Sequence, residues 1–163
     1  MKIPNVVRTG VFLSALMFAA AGSAQPAPTS STAINSAAMA TRVKTEFLHA
    51  WNNSRRYAWG HDALQPLSKK PHDWYGHSLL MTPVDALDTL VLMGLKKDAD
   101  EDRALIDAKL DFDQDIYVKN FEITIRMLGG LLSGYQLTGD PVLLHKAQDL
   151  GTRLLPAFDS LTG

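Results

Sequence analysis

The amino-acid sequence predicts an all-α fold. Apolar residues recur on a 3.6-residue period over several long stretches. No strand-like alternation persists beyond a few residues, and apolar helical stretches take turns with polar ones. Paired helices of unequal polarity describe a helical array, or a barrel with inner and outer helix layers. No fixed repeat period of the tetratricopeptide or ankyrin kind accompanies them.

The N-terminus is expected to stand outside that fold. Lys2 and Arg8 give a basic start, Val11 to Ala21 is apolar, and Gly22-Ser23-Ala24 offers small residues for cleavage before Gln25. This apolar run is shorter than the roughly 20 residues of a membrane-spanning helix. Residues 1–24 therefore read as a secretory signal peptide, with an uncleaved membrane anchor as the alternative. Export into the periplasm or the medium follows from the first. Residues 25–36, rich in Pro, Ser and Thr, read as a disordered linker, leaving 37–163 as the folded part. Losing Lys2 and Arg8 would take the net charge from −1 to −3. No basic patch stands out, so nucleic acid is excluded as a partner. The chain has no cysteine, so disulfides and thiolate metal sites are excluded as well.

Each helix has its own signals. Val43, Phe47, Ala50, Trp51 and Ser54 form one stripe of a helix from Met39 to Tyr57, with Gly60 as a left-handed cap. Gln65 to Leu79, with Pro66 and Pro71, reads as loop. Thr82-Pro83-Val84-Asp85 reads as a helix start, with Thr82 as N-cap, Pro83 at the first helical position and Asp85 completing a capping box. That helix runs to Gly94. A polar helix is expected from Asp98 to Leu110, and an apolar one from Asn120 to Leu137. Gly139-Asp140-Pro141 ends the latter and caps a last helix reaching Pro156.

The helix beginning at Asn120 carries a charged stripe on an apolar body. Glu122, Arg126, Gly129 and Ser133 share one face, while Phe121, Ile123, Ile125, Met127, Leu128, Leu131 and Leu132 fill the rest. The stripe fits either an i,i+4 ion pair worth a few tenths of a kcal/mol or a carboxylate and guanidinium in a ligand cavity. Gly129 and Gly130 would let a neighbour approach.

Glu122 also ends a stretch, DFDQDIYVKNFE, in which Asp111, Asp113, Asp115 and Glu122 keep the spacing of a helix–loop–helix calcium loop. Two residues argue against that site. Ile116 stands where the loop needs glycine at positive φ, and Lys119 puts a cation at a ligand position. His49, His61, His72, His77 and His145 form no metal motif, and no phosphate loop or GxSxG elbow occurs.

Four blocks, HAWNNSRRYAWGHDALQPLS (49–68), TPVDALDTLVLMGL (82–95), FEITIRMLGGLLSGYQLTGD (121–140) and KAQDLGTRLLPAFDS (146–160), resemble glycoside hydrolase family 47, the class I α-1,2-mannosidases. The resemblance implies that 37–163 is the N-terminal part of an (αα)7 barrel. It implies a calcium-dependent, inverting α-1,2-mannosidase trimming mannose from oligosaccharides of the N-glycan type. On the matching motifs it makes Glu122 the general acid, acting through water, and Arg126 a substrate-binding residue. Asp85 becomes a further active-site carboxylate, with Asp88 a secondary candidate one turn on. His61 and Asp62 lie in a matching block without a role.

Inverting hydrolysis needs a second carboxylate about 6.5–9.5 Å from the first. By the resemblance, that base and the calcium-binding threonine belong further along the chain than Gly163. No metal ligand is therefore assigned among these residues, and 163 residues alone are expected to be inactive and poorly folded. A full-length protein is expected to be a monomer acting on α-1,2-linked mannose. The alternative is a non-catalytic, mannosidase-like helical module that binds glycan without cleaving it.

Overall fold

The computed structural model describes residues 34–159 and Leu161. The expected signal peptide and most of the expected linker lie outside the described residues. Asn35–Gly163 forms one compact unit.

Helix α1, Ser36–Ala58, starts earlier than its apolar stripe, because the Asn35 side chain accepts from the Ala38 N–H at 3.1 Å and caps it. The linker expected to reach residue 36 thus ends sooner. Gly60, at φ +80°, follows the helix as anticipated. Of the predicted stripe only Trp51 is fully buried, and Val43 is half exposed. Trp51 meets Trp59 edge-on at 5.8 Å and donates its indole N–H to Asp98 at 3.1 Å.

The segment read as loop contains a short antiparallel hairpin, β1 (Ala63–Gln65) and β2 (Lys70–His72), with Leu64 opposite Pro71. Proline is tolerated because each strand of a two-stranded ribbon has a free edge. The turn places Lys69 at φ 55°.

Helix α2, Met81–Leu92, is not entered as the sequence predicted. Its N-cap is Leu80, in the left-handed region at φ 54°, with no side-chain cap of its own. Thr82 cannot cap, since its hydroxyl donates to the Asp62 carbonyl at 2.6 Å. Pro83 is the third helical residue, where a missing N–H still leaves no hydrogen bond unmade. Asp85 lies beyond the first turn and is not a capping-box acid. The entry is closed from outside by Asp62, whose carboxylate accepts from Leu79 and Met81 N–H and whose carbonyl accepts from Thr82 N–H. Gly94, at φ +67°, ends the helix as expected.

Helix α3, Lys96–Lys109, is largely polar and buries one face, Ala99, Leu105 and Ile106 together with the carboxylate of Asp102. An extended segment then crosses the core. Its residues alternate, with Phe112, Ile116 and Val118 packed inward and Asp111, Asp113 and Asp115 exposed. The calcium-loop spacing of these aspartates is the outward face of this strap. Asp111 accepts from the Asp113 N–H at 2.9 Å, and Asp113 accepts from Arg153 at 3.1 Å.

The next helix is continuous but not uniform. Asn120–Glu122 (α4) is α-helical, Ile123–Leu128 is π-helical, and Gly129–Thr138 (α5) returns to α. Ile123, Met127 and Leu131 are buried, whereas Phe121 and Ile125 stay largely exposed, so its apolar surface is covered on one side only. Gly139 ends it at φ +71°, and Asp140 caps α6, Pro141–Leu154, by accepting from Val142 N–H. Both were legible in the sequence. A 3-10 turn, Leu155–Phe158, closes the described fold.

Helix α2 packs against α3 on one side and α5 on the other, and α6 covers α5. Leu87, Leu90, Ile106, Met127 and Leu131 form the centre of the core, none with measurable exposure. Contact between α2 and α5 is close because glycine faces it. A Cβ on Gly130 would stand 2.8 Å from Val84 Cγ1 and 3.0 Å from the Val84 carbonyl oxygen. One on Gly134 would stand 2.9 Å from Leu87 Cδ2. Gly129, expected to share this role, has only its own helix nearby.

Candidate active site

The paired α2 and α4–α5 bring the predicted residues together at the ends where both helices begin. Arg126, in the π-helical stretch, donates from Nε to Glu122 Oε2 at 2.8 Å and from Nη1 to Asp85 Oδ2 at 2.9 Å. One guanidinium therefore joins carboxylates from two helices. Hydrogen bonds donated to both, Glu122 first, raise the arginine's pKa further, so it is a permanent cation. All three side chains keep between a quarter and two-fifths of their surface in solvent. Pairs this exposed add at most about 1 kcal/mol each. Their arrangement is thus available for ligand contact and is not chiefly a stabilising device.

Asp88 does not join this group. It lies one turn further along α2 and accepts from the Ser133 hydroxyl at 3.0 Å. The stripe seen in the sequence is therefore split, with Glu122 and Arg126 meeting Asp85 and Ser133 meeting Asp88.

Sequence reasoning missed two participants. The Trp74 ring lies beneath Arg126, with the guanidinium carbon 5.3 Å from its centroid, and is partly exposed. This cation–π contact holds the arginine plane from a third direction. Asp62 is buried and supports the loop carrying Trp74, accepting from the Trp74 N–H at 3.0 Å. Asp62 and Trp74 flank the short β1–β2 hairpin, outside any helix, where no periodicity reports on them. The nearest sequence signal is the block that begins at His49, which contains Asp62.

These side chains do not make a site for a divalent cation. Among the described residues no group of three or more His, Asp or Glu side chains is placed to hold a metal. Asp85 and Glu122, the two acids nearest one another in role, already share a guanidinium. These residues do not fit a calcium site, and no chemical step here is derived through one.

The geometry defines a helical site with two carboxylates, one guanidinium and an exposed aromatic face, a set suited to a polyhydroxylated ligand. The chain belongs to glycosyl hydrolase family 47, whose profile matches residues 46–163. It is 47% identical over 133 residues to the endoplasmic reticulum mannosyl-oligosaccharide 1,2-alpha-mannosidase of Homo sapiens, covering 82% of this chain and 19% of that protein. It is 48% identical over 122 residues to a mannosyl-oligosaccharide 1,2-alpha-mannosidase of Arabidopsis thaliana, covering 75% and 22%. Among solved structures it resembles the alpha-1,2-mannosidase from Trichoderma reesei, with a TM-score of 0.64 and 30% identity, over 71% of this chain and 27% of that one. The fold is thus all-α and matches part of the (αα)7 barrel. The chain spans about a fifth of the length of the curated relatives it matches.

Proposed function

We propose that the protein is an α-1,2-mannosidase that removes mannose from oligosaccharides by hydrolysis with inversion. The observation that carries this is Arg126 gripping Glu122 and Asp85 together, in a chain of a family whose named relatives are 1,2-alpha-mannosidases.

In this proposal Glu122 supplies the proton to the departing glycosidic oxygen through an intervening water. Arg126, 2.8 Å away, holds the Glu122 carboxylate in place. Arg126 and Asp85 hold sugar hydroxyls, the first as donor and the second as acceptor. Water on the opposite face of the sugar requires a second carboxylate as base, which we place outside these 163 residues. The calcium dependence implied by the family resemblance has its ligands outside them too. We further propose export by the N-terminal signal, into the periplasm or the medium, and a monomeric protein.

The test is release of mannose from an α-1,2-linked disaccharide by the native gene product, followed by NMR of the first-formed anomer. Wild type should release the inverted, β-configured sugar, and a chelator should stop the reaction. Glu122→Gln should lower kcat by about 10²–10⁴-fold, the usual contribution of a positioned acid. A protein that binds the disaccharide but never cleaves it would refute the enzyme reading in favour of a glycan-binding module.

A further inference from the structure

We propose that Asp62 is a positioning residue for this site, holding Trp74 and Asp85 in register against Arg126. The proposal rests on Arg126, Glu122 and Asp85 being the substrate site.

Asp62 is 2% exposed, yet its carboxylate is almost fully engaged by donors distant in sequence. Oδ1 accepts from Leu79 N–H at 2.7 Å and Met81 N–H at 3.2 Å, with the Ser78 hydroxyl at 3.5 Å. Oδ2 accepts from Trp74 N–H at 3.0 Å. Its own N–H donates to Asp73 Oδ1 at 3.0 Å, and the other Asp73 oxygen lies 2.9 Å from His61 Nδ1. The two oxygens thus serve two separate segments. One limb fixes the start of α2, and Asp85 lies one helical turn further on. The other fixes the backbone of Trp74, whose ring supports Arg126. Both limbs converge on the same guanidinium.

Capping alone would not require this arrangement. An amide oxygen could close the start of α2, since Leu79 and Met81 both use Oδ1. Only a carboxylate accepts on both sides. In Asp62→Asn the amide nitrogen would face the Trp74 N–H, donor against donor. That variant retains the helix limb and releases the tryptophan limb, which separates positioning from simple structural support.

The experiment uses the native gene product labelled with 5-fluorotryptophan, with the Trp74 fluorine resonance assigned through Trp74→Phe. Asp62→Asn should move the Trp74 resonance and leave those of Trp51 and Trp59 in place. It should also raise KM for the α-1,2-linked disaccharide about tenfold with kcat changed less than about threefold, the pattern of lost binding contacts. Leu150→Ala, a core change on α6, should lower the melting temperature without either effect. An unmoved Trp74 resonance in folded Asp62→Asn, or wild-type KM and kcat, would overturn the proposal. Should Asp62→Asn not fold, Asp73→Ala loosens the same loop from behind and should shift the same resonance by a smaller amount. No shift there would also overturn it. A wild type without mannosidase activity would sink the functional reading, while the fluorine spectrum would still decide the role of Asp62.

Discussion

Replacing Asp102 by alanine should stabilise the protein at neutral pH and lose that advantage as the pH is lowered. Asp102 lies on α3 with no exposed surface, and neither carboxylate oxygen has a hydrogen-bond partner among the described residues. Arg55 is the cation that acts on it, but that guanidinium is already paired with Asp98 at 2.8 Å and with Glu101, and lies over the Trp59 ring. Burial pushes the Asp102 carboxyl up to about 8, with Arg55 opposing only part of the effect. The unfolded chain ionises near 3.8, so between these values the folded state binds the proton more tightly. Stability must then fall as pH rises from about 4 to about 8 and level off above. Each pH unit is worth ~1.4 kcal/mol, and by pH 7 about three units have been crossed, for a cost of about 4 kcal/mol. Alanine removes that cost and favours the helix slightly, but leaves a small void that cancels part of the gain. The net effect should be a stabilisation of about 2–3 kcal/mol at pH 7 that turns into a destabilisation of about 1–2 kcal/mol at pH 4, where only the void remains. Urea denaturation of both proteins from pH 4.5 to 8.5 measures it. A difference between them that does not change with pH would refute the reasoning.

Other expectations concern the site and its supports. Gly130→Ala should destabilise by about 1–3 kcal/mol in chemical denaturation, since its Cβ meets Val84 backbone that cannot swing aside. Gly129→Ala, in open space, should instead stabilise by up to about 1 kcal/mol. Arg126→Lys should weaken disaccharide binding by calorimetry, because an ammonium cannot span two carboxylates and keep the guanidinium's contact with the Trp74 ring. Asp140→Ala should cost about 1 kcal/mol as a lost cap. Hydrogen bonding to Arg103 holds the Asp140 carboxyl below its usual range. Its contribution is therefore complete above the unfolded value and is lost as pH falls through the folded one, so acid titration of wild type and variant should converge.

Much of this was legible in the letters. Gly60, Gly94 and Gly139 end helices where the sequence placed them, because positive φ at a helix end is a local demand that glycine meets locally. The meeting of Glu122 and Arg126 followed from their spacing, and Asp85 from the motif resemblance. What escaped depends on groups far apart in sequence. Thr82-Pro83 has every local mark of a helix start, but Asp62, some twenty residues upstream, takes the threonine and supplies the cap. Trp74 gave no periodic signal because it sits in a loop, and its partner Arg126 comes from another helix. The alternation of Phe112, Ile116 and Val118 with exposed aspartates was not read from the sequence, because it is a single short strap whose inward face is defined only by the helices it packs against. Gly129 and Gly130 look alike in sequence, and only the position of Val84 tells them apart.

The π-helical stretch has a consequence for how this sequence can change length. Such a stretch holds an extra residue within the span an α-helix would cover, which in genealogical terms is an insertion retained inside a helix. Deleting one residue between Ile123 and Leu128 would restore regular α-helical winding over the same span and leave everything beyond it in phase. Gly130 and Gly134 would still face Val84 and Leu87, and Ser133 would still meet Asp88. A deletion within α5 has no such slack and would turn the residues after it by about 100°, so a lineage of such proteins can lose a residue from the π-helical stretch more readily than from the helix that follows.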